Sequence, residues 1–185
     1  MIDLTPLTLL PQEQLVLAST HENQEMYRYR RLALSFLPNA TYISRLMAAL
    51  GSECEQRLDT LGHVAERLGL SACLTTTEAR NDHSLPATAA QRHFFITDDV
   101  MADQTLKQAL EAAHHSRHFS DRLLETNATP ELHEPFLTFA RQKHVACRVL
   151  QECQEQWRLA SGQRPRPEEA HHRARVARLN LSTFG

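Results

Sequence analysis

The sequence predicts an all-α domain, a four-helix bundle with a long crossover between its second and third helices. Two observations predict this fold class. Apolar residues recur every three to four positions along four long segments, and the stretch between the second and third segments is long and has no such period. Five glycines and an aromatic fraction of 6% also favour helices over strands and tight turns. The short first and third connections predict two antiparallel helix pairs.

The first predicted helix follows Pro11, covers residues 12–37 and ends at Pro38-Asn39, because proline cannot continue a helix. The second covers residues 41–68, with Gly69 as its C-cap. Only a short turn separates these two helices. We therefore expect them to lie side by side in opposite directions.

Residues 70–96 are rich in Thr, Ser, Asn, Ala and Pro, which is typical of a long connection. Thr97-Asp98-Asp99 then begins a third helix, since it offers a capping side chain and acidic residues near the positive end of the helix dipole. That helix ends at about Glu125. Pro130 suits the first turn of the fourth helix, which extends to about Trp157.

The bundle is thus assigned to residues 1–160. Residues 161–185 are assigned to a C-terminal tail, in which a basic segment from Glu168 to Leu179 is predicted to form a short fifth helix. The arginines of this tail could touch nucleic acid, but the acidic pair Glu168-Glu169 weakens that reading. We expect a terminal helix that is solvated or docked on a partner.

The overall composition excludes several function classes. A formal net charge of −2 gives no field that would attract nucleic acid or an anionic membrane. Four cysteines without a C-x-x-C pair indicate reduced thiols, as in a cytoplasmic protein. No signal sequence and no run of 18 apolar residues occurs, so export and membrane spanning are not expected. The predicted partners are a second copy of the chain, as a homodimer, and an unidentified protein.

Two stretches resemble a known superfamily. Glu22-x6-Tyr29, continuing as Tyr29-Arg30-Arg31-Leu32-Ala33, resembles the first helix of the ferritin and rubrerythrin superfamily, and residues 48–58 resemble its second helix. The likeness covers about two thirds of the chain at the level of pattern. It implies a ferritin-like bundle in which one Glu from each of two helices and a Glu-x-x-His from each of the other two hold two iron or manganese ions.

Only one ligand of that pattern is matched well. At about 100° per residue, Glu22 lies in the middle of the apolar stripe of the first helix. On the second helix, the residues that helical phase turns inward at the place of the Glu-x-x-His are Cys54-x-x-Arg57. Matched to the motif position by position, the segment is Glu53-x-x-Gln56. The fourth helix turns Lys143 inward and leaves His144 at the flank, and the third has only small residues where a Glu is expected: Ala113, Ser116 and Ser120.

A buried carboxylate must be paired or neutralised. We therefore predict that Glu22, Arg57 and Lys143 form a buried ionic cluster in place of the metal, with no cofactor and a binding or scaffolding role. The alternative is a di-iron or di-manganese oxidoreductase or iron-handling protein. Its metal ligands would be Glu22, Glu53 and His144, helped by Cys54 or His115. A third hypothesis is that the chain is an interaction module whose C-terminal helix swaps onto a neighbouring chain.

Overall fold

The computed structural model describes residues 9–74 and 95–162. The prediction of an all-α domain is confirmed for these residues, which contain helices and no strand. The four long helices are α1 (Pro11–Phe36), α2 (Thr41–Leu68), α3 (Asp99–Glu125) and α4 (Pro130–Ala160). Residues 71–74 are also helical. The predicted fifth helix and most of the predicted crossover lie outside the described residues.

Local chemistry explains where the helices begin and end. Pro130 opens α4, where its missing N–H costs nothing. Asp98 caps α3, because its Oδ1 accepts a hydrogen bond of 2.7 Å from the backbone N–H of Met101. Gly69 ends α2 at φ +71°, a left-handed conformation that glycine adopts without strain. The fourth helix extends to Ala160, one turn past its predicted end.

The helices form two hairpins, α1 with α2 and α3 with α4, that pack against each other. We name the two ends of the bundle by their turns, the 37–40 end and the 126–129 end. At the latter, Gln14 Nε2 donates to the carbonyl of Thr126, at 3.2 Å. At the 37–40 end the N–H of Ile96 donates to the carbonyl of Ser35, at 3.1 Å. Contacts at both ends make α1 and α3 antiparallel neighbours.

The same reasoning orients α2 against α4. Near the 126–129 end, Ala65 of α2 shares a hydrophobic cluster with Phe136 of α4. Near the 37–40 end, Ile43 shares a second cluster with Leu150. The start of α2 therefore meets the end of α4, and these two helices are also antiparallel neighbours.

The core consists of these two hydrophobic clusters, one toward each end of the bundle. On every helix a polar residue lies between the parts that belong to the two clusters. On α1, for example, Ala18 belongs to one cluster and Met26 to the other, and Glu22 lies between them. We define the central polar layer as the buried polar residues at this level: Glu22, Glu25, Arg57, Ser116, Ser120 and Lys143.

Candidate functional site: the central polar layer

All four helices contribute to the central polar layer, and none of its six residues is more than 6% exposed. Glu22 and Glu25 come from α1, Arg57 from α2 and Lys143 from α4. The third helix supplies only the hydroxyls of Ser116 and Ser120. Because the two carboxylates and the two cations carry equal and opposite formal charge, the layer is neutral as a whole.

Glu22 contacts both cations of the layer. Its Oε2 accepts from Arg57 Nε at 2.9 Å and from Lys143 Nζ at 3.0 Å. Its Oε1 lies 2.9 Å from Lys143 Nζ. Both carboxylate oxygens are therefore engaged by charged donors, which form the stronger class of hydrogen bond.

Arg57 has further partners that hold its guanidinium plane. Its Nη1 donates to Gln142 Oε1 at 3.1 Å, and its Nη2 lies 3.2 Å from Cys54 Sγ. Glu53 Oε2 is 3.6 Å from Nη1, at the edge of the layer where Glu53 is 45% exposed. The arginine thus joins α2 to both α1 and α4.

Sequence reasoning missed the second buried carboxylate, Glu25. It pairs with Arg28 one turn further along α1, and its Oε2 lies 3.9 Å from Lys143 Nζ. The guanidinium of Arg28 in turn lies over the ring of Tyr29, 5.1 Å from the centroid, which is within the range of a cation–π contact. Lys143 therefore sits between two carboxylates.

The pKa shifts follow from burial and from these charges. Burial alone would raise the pKa of Glu22, but Lys143 and Arg57 outweigh it and hold the pKa of the carboxyl below its usual value. Burial alone would lower the pKa of Arg57, but Glu22 and the other nearby acidic groups together outweigh burial and raise it. Burial raises the pKa of Cys54 to about 11, so its thiol is protonated at neutral pH.

His21 lies beside the layer and was also missed from the sequence. Its Nε2 is 2.8 Å from Ser116 Oγ, and its ring stacks on Phe119 with the centroids 4.2 Å apart. Burial lowers the pKa of His21. Because Ser116 is only 1% exposed, we interpret the pair as an internal hydrogen bond.

A small cavity adjoins Glu22. It has room for about one water molecule, and apart from Glu22 it is lined by Ala18, Phe119, Ser120, Leu123, Phe136 and Phe139. Its walls are mostly apolar. It is too small to admit an organic substrate.

The residues of the layer do not fit a di-metal centre. Two cations occupy the coordinating side of Glu22, and they would repel a metal ion. The other two candidate ligands point elsewhere: Glu53 pairs with Arg57, and His144 Nε2 lies 3.2 Å from Asp121 Oδ1 on the surface. Within residues 9–74 and 95–162, no three His, Cys, Asp or Glu side chains gather closely enough to hold a metal ion.

Comparison of the chain with family models, with curated proteins and with solved structures finds no match. Among the described helices, none has a stretch long and apolar enough to cross a membrane.

Proposed function

We propose that the chain is a ferritin-like bundle in which a buried ion cluster replaces the di-metal site. In this proposal it acts by binding or scaffolding rather than by metal-dependent catalysis. The observation that carries the proposal is the position of Lys143 Nζ, within 3.0 Å of both oxygens of Glu22. A metal-binding Glu would need those oxygens for the ion.

The ferritin-like arrangement is supported by the direction of the helices. Leu68 packs in the cluster near the 126–129 end, whereas Ile96 is bonded to Ser35 at the 37–40 end. A connection between these two points has to travel the length of the bundle, roughly 40 Å for a helix the size of α1. One long crossover of this kind distinguishes ferritin-like bundles from up-and-down bundles.

The loss of catalysis at the centre is supported by the donor set and by access. Where the superfamily has carboxylates and imidazoles, this bundle has a guanidinium, an ammonium and the small side chains of Ser116 and Ser120. The cavity that adjoins Glu22 has room for about one water molecule. In this proposal the surface of the bundle carries the binding role, and the centre holds the helices in place.

Metal content tests the proposal. The full-length chain should be produced with added iron and manganese, purified without chelator, and analysed by mass spectrometry of the elements. We expect below about 0.1 ion per chain, and no rise in melting temperature with added Fe²⁺ or Mn²⁺. A bound metal at one hundred times its Kd would stabilise the fold by about 2.7 kcal/mol, which such a melt detects easily.

Two variants locate any metal that is found. About two ions per chain that disappear in Glu22→Gln would overturn the proposal and support the di-metal oxidoreductase or iron-handling protein. Ions that survive Glu22→Gln but disappear in His115→Gln would belong to the exposed histidines of α3. That second result would leave the central layer free of metal, as proposed.

A further inference from the structure

The ends of all four helices meet at the 37–40 end of the bundle. The side chain of Asn39 donates to the carbonyl of Ile96 at 2.6 Å, which ties the first turn to the approach to α3. Arg158, in the last turn of α4, pairs with Asp103 of α3 at 2.7 Å. These contacts fix the last turn of α4, and hence the point where the C-terminal tail leaves, against the rest of this end.

Large apolar side chains are exposed mainly at this end. Six of them, each between 49% and 75% exposed, lie at this end, and we call them the end surface: Leu34, Leu37, Tyr42, Phe95, Val100 and Leu159. Near the 126–129 end, the corresponding residues among those described are Leu10 and Leu17. A concentration of apolar side chains in one place on a surface marks an interaction site.

The chain itself supplies an apolar segment at this place. Gly162, with φ +67°, follows α4 and turns the chain at the 37–40 end. In the residues that follow, apolar side chains recur at the alternating spacing of four and three that gives one face of a helix: Ala170, Ala174, Ala177, Leu181 and Phe184. Fully extended, residues 163–169 span roughly 25 Å. Helices packed 8–10 Å apart make an end roughly 20 Å across, so the segment can reach any part of it.

We propose that residues 163–185 fold back and pack this apolar stripe on the end surface of their own bundle. The tail then covers the side chains that the four helix ends leave exposed. The occupant is this segment rather than another protein because it begins at the edge of the surface and carries a stripe long enough to cross it. The inference does not depend on the proposed function.

Limited trypsin digestion of the full-length chain tests this docking. The tail offers cleavable bonds after Arg173, Arg175 and Arg178, whereas Arg164 and Arg166 precede proline and resist trypsin. A synthetic peptide of residues 168–185 gives the rate for the undocked segment. We expect the tail of the wild-type chain to be cleaved at least tenfold more slowly than the peptide, as followed by mass spectrometry.

Three substitutions decide where the tail binds. Leu159→Asp on the end surface and Leu181→Asp in the tail should each raise the cleavage rate of the tail at least tenfold. Val145→Asp is the matched control: it is exposed on nearly the same face of α4, about 21 Å from Leu159, and it should leave the rate unchanged. Since Leu181→Asp alters no residue of the described bundle, its effect cannot come from a folding defect there.

Other occupants give other results. Cleavage of the wild-type tail at the rate of the peptide would overturn the proposal. A tail that stays protected in Leu159→Asp would also overturn the proposal, because it would then dock elsewhere. Protection that is lost on dilution, together with a larger particle mass, would assign the surface to the tail of a second copy and would also overturn docking on the same chain.

Discussion

Lys143 Nζ lies 2.9 Å from Oε1 and 3.0 Å from Oε2 of Glu22, with both side chains only 4% exposed. The pair joins α1 to α4 at the level where the hydrophobic core is interrupted. Removing water from two charges is costly, and their mutual attraction offsets that cost only when both stay in place. The contribution of such a pair is therefore seen best by removing one partner at a time.

Glu22→Ala should lower the free energy of unfolding by roughly 3–5 kcal/mol, because it leaves Arg57 and Lys143 buried with too little negative charge. Urea denaturation at pH 7 followed by circular dichroism measures this change. Glu55 provides the matched control, since it is paired with Arg30 on the surface and is 42% exposed. Glu55→Ala should cost less than about 1 kcal/mol. A loss below about 0.5 kcal/mol for Glu22→Ala would disprove the structural role of the cluster.

Removing both partners should cost less than the two single changes add up to. Glu22→Leu leaves Arg57 and Lys143 without the carboxylate they share, and Lys143→Met leaves Oε1 of Glu22 without its charged donor. The double variant keeps the layer formally neutral, because one carboxylate, Glu25, and one guanidinium, Arg57, remain. We expect a coupling energy of roughly 1–3 kcal/mol in a double-mutant cycle measured by urea denaturation. Additive losses would mean that the two side chains do not act as a pair.

Much of the helical framework could be predicted from the sequence, because each boundary depends on local chemistry. Pro130 and the capping Asp98 act through their own backbone and their nearest neighbours, so the predicted ends differ from the observed ones by only a few residues. The inward phases of Glu22, Arg57 and Lys143 follow from helical periodicity in the same way. The predicted crossover does not follow from local rules, since it depends on how distant helices pair.

Glu25 shows where the reasoning from sequence stopped short. It lies about 60° around the helix from Glu22, at the edge of the apolar stripe beside Ala18. Its burial depends on Lys143 of a distant helix reaching between the two carboxylates and on Arg28 folding over it. A second charged residue near a stripe that already held one charge was a usable signal. The cations that stabilise the buried carboxylate could not be identified without knowing how the helices pack.

His21 should make the fold less stable in mild acid. Burial lowers the pKa of His21 in the folded chain, while in the unfolded chain it titrates near 6.5. Between those two values the unfolded chain binds more protons, so the free energy of unfolding falls as the pH drops below about 6.5, by at most about 1.4 kcal/mol per pH unit. Urea denaturation between pH 7.5 and 5.0 measures this slope.

The His21→Phe variant keeps an aromatic ring against Phe119 and removes the titrating group. Its slope should be shallower than that of the wild type below pH 6.5, whatever its absolute stability. His63→Gln serves as the control, because the side chain of His63 is 80% exposed and lies outside the interior. Equal slopes for His21→Phe and the wild type would show that His21 is not kept neutral by the fold.

The cysteines should divide sharply by reactivity. Burial raises the pKa of Cys54 to about 11, so at pH 8 only about one thiol in a thousand is ionised, and its sulfur is enclosed between Arg57 and the core. Cys147 and Cys153 are buried as well, and Cys73 is half-buried.

Iodoacetamide at pH 8 should therefore label Cys73 in the folded chain and all four cysteines after denaturation in urea. Peptide mass spectrometry identifies the sites, and Cys73→Ser should abolish labelling of the folded form. Labelling of Cys54 as fast as Cys73 would mean that the central polar layer opens to solvent, because only an exposed thiolate reacts at that rate.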